Sequence, residues 1–138
     1  MMVSTKGRYA LRVLIDIAMH PQEEYVSLNG IAQRQDVSMK YIETIVSTLS
    51  KAGILESLRG KNGGYRLKED PSKCTVASVL KLTEGTLAPV ACLNNCGKDE
   101  CNRIDKCLTL PMWQKLDEIV NDYLDSVTLA DLINKTVL

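Results

Sequence analysis

The sequence predicts a mainly helical chain with one small β-hairpin, and three observations lead there. Apolar residues recur at helical spacing through most of the chain, whereas one stretch after Gly53 alternates around a glycine-rich turn. The aromatic share is 4%, with no Phe and one Trp, so a core must be built from Leu, Ile, Val, Ala and Met. At 138 residues and 45% hydrophobic content, the chain suffices for one ordinary domain, or a small domain with an appended arm.

Helix one is expected from about Lys6 to Met19, where Ala10, Leu11, Leu14, Ile17 and Ala18 share a face and Pro21 stops it. Ser27 is a candidate N-cap for a short second helix with Leu28, Ile31 and Ala32 inward. After a break at Gln35-Asp36-Val37, Ser38 caps a third helix whose apolar face is Ile42, Ile45, Val46 and Leu49. Gly53 stands where a left-handed C-terminal cap is wanted. Residues 54–59 and 65–68 then flank Gly60-Lys61-Asn62-Gly63-Gly64, the pattern of a hairpin with a glycine-rich tip. Three helices followed by a basic hairpin, two of them joined by a tight turn, is the order of a winged helix-turn-helix, assigned to residues 1–85.

Beyond Pro71, a helix capped near Thr75 is expected to bury Val76, Val79 and Leu80 and to end around Gly85. Residues 86–110 show little periodicity, have prolines near both ends at Pro89 and Pro111, and hold four cysteines. A loop of that length inside a compact protein implies a ligand or a function. Residues 111–138 open with Pro111, suited to a first helical position. Trp113, Leu116, Val120, Tyr123 and Val127 follow at spacings of three, four, three and four, an a/d stripe that fits either packing on the chain's own core or a dimerisation helix, the second being expected because helix-turn-helix proteins commonly engage two half-sites. A last helix from Thr128, with Leu129, Leu132 and Ile133 apolar, closes the chain.

The formal net charge is zero, but residues 1–68 carry ten Lys/Arg against six Asp/Glu and residues 69–138 seven against eleven. A basic half and an acidic half are compatible with a nucleic-acid partner for the first. No stretch reaches the roughly 18 apolar residues of a membrane span, since Asp16 interrupts the best candidate, and Lys6, Arg8 and Arg12 do not form a secretory pattern. A cytoplasmic location is therefore expected, where an odd number of cysteines reads as metal ligands or redox thiols rather than disulfides. There is no nucleotide-binding glycine motif after a strand, no Ser/His/Asp set, and one histidine, so an enzyme is not expected.

With the apolar face of the third helix inward, Ser38, Lys40, Tyr41, Glu43, Thr44 and Ser47 lie on or beside its open face. Those types suit a major groove: Lys40 can reach phosphate or guanine, the hydroxyls can bond phosphate or base edges, and Glu43 can accept from the cytosine amino group. A carboxylate facing phosphate costs affinity, so Glu43 is expected to confer selectivity. In the hairpin, Arg59 and Lys61 flank glycines that let the backbone approach closely, and a wing Arg can enter a narrow minor groove. Each of these residues alone would equally suit a solvated helix face or a tight turn.

Ser4-Thr5-Lys6-Gly7-Arg8-Tyr9-Ala10, Tyr41-Ile42-Glu43, Arg59-Gly60, Gly63-Gly64-Tyr65, and Cys101-x5-Cys107-Leu108-Thr109 with Trp113 resemble the winged-helix regulators that include IscR, NsrR and CymR, over about residues 2–134. The resemblance implies a homodimer through the long C-terminal helix, binding to double-stranded operator DNA with repression the expected sense, and, in cysteine-bearing members, an iron-sulfur cluster that tunes binding. It puts Glu43 on the base-discriminating position and Arg59 on a minor-groove contact. Members lacking the cysteines, such as CymR, work through a protein partner.

The cysteine spacing is Cys92-x3-Cys96-x4-Cys101-x5-Cys107, compatible with a shared metal centre but matching neither the plant-type ferredoxin pattern nor a C-x2-C zinc pair. The resemblance, not the spacing, ranks a 2Fe-2S cluster above 4Fe-4S, zinc or a bare thiol switch. In IscR-like sequences a His three residues after the last cysteine is the fourth ligand, and here that position is Leu110. The acidic ligand of NsrR-like proteins is replaced by the neighbourhood of Arg8, which leaves Cys96 as the candidate fourth ligand. His20 reads as a helix-terminal residue and Cys74 as a small buried hydrophobe.

Overall fold

The structure is a computed structural model that describes residues 3–93, 101 and 103–137. Helix α1 (Thr5–Ala18) starts at Ser4, whose hydroxyl accepts from the Gly7 amide, and it buries Ala10, Val13, Leu14 and Ile17. Helix α2 (Leu28–Gln35) is capped by Ser27 and α3 (Met39–Lys51) by Ser38, so both serines act as their position in sequence predicts. Between the two helices Asp36 adopts the left-handed conformation, φ 54°, which reverses the chain within two residues. Ile42, Ile45, Val46 and Leu49 of α3 are all buried.

Gly53, at φ 81°, ends α3 and leads into strand β1 (Leu55–Leu58), paired antiparallel with β2 (Gly64–Leu67) in the register Leu55 to Leu67 and Leu58 to Gly64. The hairpin does not stand alone. Tyr65 exchanges two main-chain hydrogen bonds with Val26, at 2.8 and 2.9 Å, so the segment before α2 lies against β2 as a third, one-residue rung. A Cβ on Gly64 would collide with the Val26 carbonyl, which is why glycine stands there.

After a 3-10 turn at Pro71–Lys73, helix α4 (Val76–Glu84) is capped by Thr75 and ended by Gly85. The 86–110 segment contains short 3-10 turns at Ala91–Leu93 and Ile104–Lys106 and plants Leu87 in the interior. Helix α5 (Leu110–Ser126) carries a proline in its first turn, and helix α6 (Leu129–Asn134) opens with a capping box between Thr128 and Asp131. No helix among the described residues is long and apolar enough to cross a membrane.

Among the described residues two apolar clusters result. The larger joins α1, α2, α3 and both strands with Val79 and Leu129, and the smaller gathers Val76, Leu80, Leu87 and Val127, with Leu124 of α5 against it. Main-chain bonds from Val76 to the Val127 carbonyl and from Leu129 to the Cys74 carbonyl pin the α5–α6 junction to the start of α4.

The stripe expected on α5 divides between two faces. Val127 is buried and Trp113 and Val120 are half-buried, whereas Leu116 and Tyr123 are exposed. The outward row is Met112, Leu116, Ile119 and Tyr123, at spacings of four, three and four and between 38% and 53% exposed, with Leu108 at 96% just ahead of it. Spacing alone could not separate these rows, because α5 is apolar on both sides.

Candidate nucleic-acid interface and cysteine segment

The open face of α3 is built by its buried one. Since Ile42, Ile45, Val46 and Leu49 point inward, Lys40, Glu43, Thr44 and Ser47 all fall on the exposed side. Among the described residues, the Lys40 and Glu43 side chains enter no ion pair, so both charges are free for a partner. The Thr44 hydroxyl donates to the Lys40 carbonyl at 3.1 Å, which leaves its oxygen as an acceptor. Ser38 accepts from the Tyr41 amide at 3.3 Å and keeps its hydroxyl hydrogen. Tyr41 is half-buried: its ring packs on the core and meets Tyr9 edge to face, centroids 5.8 Å apart.

Arg59 and Lys61 are exposed at the hairpin tip. Arg66 is not available in the same way. Its Nε donates to the cross-strand Glu56 carboxylate at 2.6 Å, its guanidinium lies 4.3 Å from the Tyr25 ring centroid, and its Nη1 donates to the Glu23 carbonyl. The wing therefore presents the charge of Arg59 and Lys61 while Arg66 holds its base together.

The sequence did not suggest the hydrogen-bonded group behind α3. Asp16, on the inner side of α1, is buried among apolar residues, yet it receives Arg34 Nε and Nη2 at 2.7–3.2 Å and Gln35 Nε2 at 2.8 Å. Burial pushes its carboxyl upward, but the hydrogen bonds from Arg34 and Gln35, with the charges of Arg34 and His20, outweigh that and hold it below its ordinary value. A signal was present: an acid on the apolar side of one helix, with an Arg near the end of the next.

Cys92 lies in the first 3-10 turn of the 86–110 segment, Cys107 directly follows the second, and Cys101 lies between; all three are free thiols, partly accessible. Cys96 lies outside the described residues. Cys107 Sγ is 3.2 Å from Thr109 Oγ1. The Thr109 hydroxyl and amide, with smaller help from the Leu110 amide and the Arg103 charge, hold its thiol below the ordinary value against the opposing effect of burial. The lowered thiol and the partial access of all three suit a thiolate-ligated centre in donor chemistry. Among the described residues no three His, Cys, Asp or Glu side chains gather as a metal site. Cys74 is half-buried against the core, and burial raises its thiol. His20 is engaged at the end of α1, with Nδ1 2.8 Å from the Asp16 carbonyl.

Among known families, Rrf2, described as an iron-dependent transcriptional regulator, matches residues 3–135. The chain belongs to the Rrf2 family. It is 38% identical over 134 residues to the HTH-type transcriptional regulator IscR of Serratia proteamaculans (strain 568), covering 97% of this chain and 80% of that one. Its fold is similar to CymR (YrzC), the global cysteine regulator of B. subtilis, with TM-score 0.79 and 35% identity over 99% of both chains. T. potens IscR is similar too, with TM-score 0.78 and 34% identity over 99% of this chain and 89% of that one. These relatives bear out the winged-helix fold and the family resemblance, and they make this Rrf2 chain a DNA-binding transcription regulator rather than an enzyme.

Proposed function

We propose that the chain binds double-stranded operator DNA as a cytoplasmic homodimer and that an iron-sulfur cluster on the 86–110 segment sets its affinity. The reading helix is α3, with Lys40, Glu43, Thr44 and Ser47 facing base edges and phosphates and Ser38 and Tyr41 at its start; Arg59 and Lys61 of the wing follow the minor groove. The outward Met112, Leu116, Ile119 and Tyr123 row of α5 is the seam between copies, which gives the two half-sites that helix-turn-helix dimers engage. Repression is the expected outcome of such binding.

One observation carries the cluster: three partly accessible free thiols at or beside the short 3-10 turns described in the 86–110 segment, one of them held toward its thiolate form by Thr109. Cys92, Cys101 and Cys107 would be ligands, with Cys96 the fourth, and likeness to IscR favours 2Fe-2S over 4Fe-4S or zinc. Bound there, the group supplies one-electron redox chemistry and sensitivity to its own loss. The protein's part is to present thiolates and to pass their arrangement to α5, which follows Cys107 within three residues. DNA and cluster then influence each other reciprocally, by about 5- to 150-fold in affinity.

Anaerobically isolated protein should be coloured and contain iron and acid-labile sulfide, with the cluster type read by Mössbauer spectroscopy. Loaded and cluster-free protein should differ in operator affinity. Preparations that lack both iron and sulfide after reconstitution would refute the cluster. A second reading, control by a protein partner, is favoured by the likeness to CymR over the full chain. Replacing all four cysteines by Ser leaves regulation intact in that case and abolishes it in the first.

A further inference from the structure

Among the described residues, Asp16 is the charged side chain that is buried, 4% exposed, between Ile15 and Ile17. A carboxylate out of water is costly unless its lone pairs are filled, and here α2 fills them: Arg34 by a forked contact and Gln35 through its amide at 2.8 Å. That amide is thereby oriented to hold Arg12. Gln35 Oε1 accepts from Arg12 Nε at 3.0 Å, and the Gln35 main-chain carbonyl accepts from Arg12 Nη2 at 2.6 Å. Arg12, one turn before Asp16 on α1, lies over the Tyr9 ring, 4.6 Å from its centroid, and Tyr9 meets Tyr41 of α3 with rings at 87°.

The contacts run without a gap from the buried acid, across the end of α2, to the first turn of α3. Gln35 is the last residue of α2 and Tyr41 the third of α3, so the Asp36–Val37 turn is gripped on both sides. Small errors there are amplified along the helix. A tilt of about 5° at the turn displaces Ser47, roughly 13 Å further along at 1.5 Å per residue, by about 1 Å. A hydrogen bond to a base edge does not survive such a shift unchanged.

We propose that Asp16 is a positioning residue for base discrimination: through Gln35, Arg12 and the Tyr9–Tyr41 pair it sets the angle at which α3 presents Lys40, Glu43, Thr44 and Ser47. The proposal rests on α3 being the helix that enters the groove. Phosphate attraction depends on charge and tolerates a tilted helix, whereas base-edge bonding does not, so the brace acts on specificity ahead of affinity.

The test uses the full chain and three DNA probes: a duplex selected by the wild-type chain from a random-sequence library, that duplex with single base-pair substitutions, and an unrelated duplex. Asp16→Asn and Gln35→Ala are each titrated by fluorescence anisotropy, after circular dichroism shows them folded at the assay temperature. Both are expected to lower the ratio of selected to substituted affinity by about tenfold while binding the unrelated duplex within twofold of wild type. Gln35→Ala keeps the Asp16–Arg34 pair, so it reports on the relay even where Asp16→Asn fails to fold. Discrimination kept within twofold in Gln35→Ala, or an equal loss on all probes, overturns the proposal. Glu43→Ala is run beside them: if it leaves discrimination intact, α3 is not the reader and the proposal falls with that reading. If Glu43→Ala loses discrimination and Gln35→Ala does not, the brace alone fails.

Discussion

Gly7→Ala should destabilise this protein, and the same change should become neutral or stabilising once Glu84 is removed. Gly7 is buried in the first turn of α1, and a Cβ there would collide with Glu84 Oε1 and press on Leu80 Cδ2 and Thr83 Oγ1, each at 3.1 Å. Alanine favours the helix by up to about 1 kcal/mol over glycine. The clash involves the end of a flexible side chain and is relieved by rotation, but rotation has a cost. Glu84 Oε1 accepts from the Ser4 amide at 3.1 Å and from its hydroxyl at 2.6 Å, and both bonds are lost when the carboxylate swings away. Two part-buried bonds to a charged acceptor contribute about 2–3 kcal/mol together. The loss outweighs the helical gain by about 1–2 kcal/mol, or about 3–8 °C in melting temperature for a chain of this size. Thermal and urea unfolding at fixed protomer concentration measure it, since association also shifts the midpoint. In a Glu84→Ala background the collision is gone and only the 3.1 Å contacts with Leu80 and Thr83 remain to be eased, so Gly7→Ala should be neutral or raise stability by up to about 0.5 kcal/mol. A Gly7→Ala protein as stable as its parent, or a cost that persists unchanged without Glu84, would refute the reasoning.

Two further predictions follow from other sites. If the proposed dimer forms on the outward row of α5, Ile119, 53% exposed in the single chain, is buried by the second copy, and Ile119→Lys should remove about 1 kcal/mol of burial per protomer and add a charge to the seam from each copy. Sedimentation should show the dimer dissociation constant rising at least tenfold, and an unchanged constant would rule out this seam. Asp16 has a folded-state value below its unfolded one, so its contribution is full above about pH 4 and declines as pH falls through the lower folded value. Acid unfolding of Asp16→Asn should therefore show a shallower loss below pH 4 than wild type, and parallel curves would assign that loss to other carboxylates, such as Asp70 and Asp131.

Much of the winged-helix head, from α1 through the hairpin to α4, was legible because its signals are local. Ser27, Ser38 and Thr75 cap helices in the structure, Gly53 and Gly85 end them, and the four apolar positions assigned to α3 are buried. Each depends on a few neighbouring residues, which periodicity and cap chemistry capture. The long helix was harder, because Trp113 and Val120 turn inward while Met112 and Ile119 turn out, and only the position of α4 decides between the rows. The open side of α3 followed directly from its closed side. The brace behind it did not, because Asp16 and Gln35 lie 19 residues apart and Arg12 and Gln35 23, and pairing across such separations is set by tertiary approach. Within the cysteine segment the spacing singled out four candidate thiols without giving their arrangement, since a stretch without periodicity offers no face on which to place them.

The rung between Val26 and Tyr65 has a consequence for how the hairpin can diversify. Because β2 is stitched to the strand-like lead into α2, its direction is inherited from the head and not from the loop at its far end. Arg59, Lys61 and Asn62 can thus be exchanged without moving the strands, as a tool tip is exchanged on a fixed handle, whereas Gly60, at φ 115°, is held by its own backbone and Gly64 cannot change without unseating the handle itself.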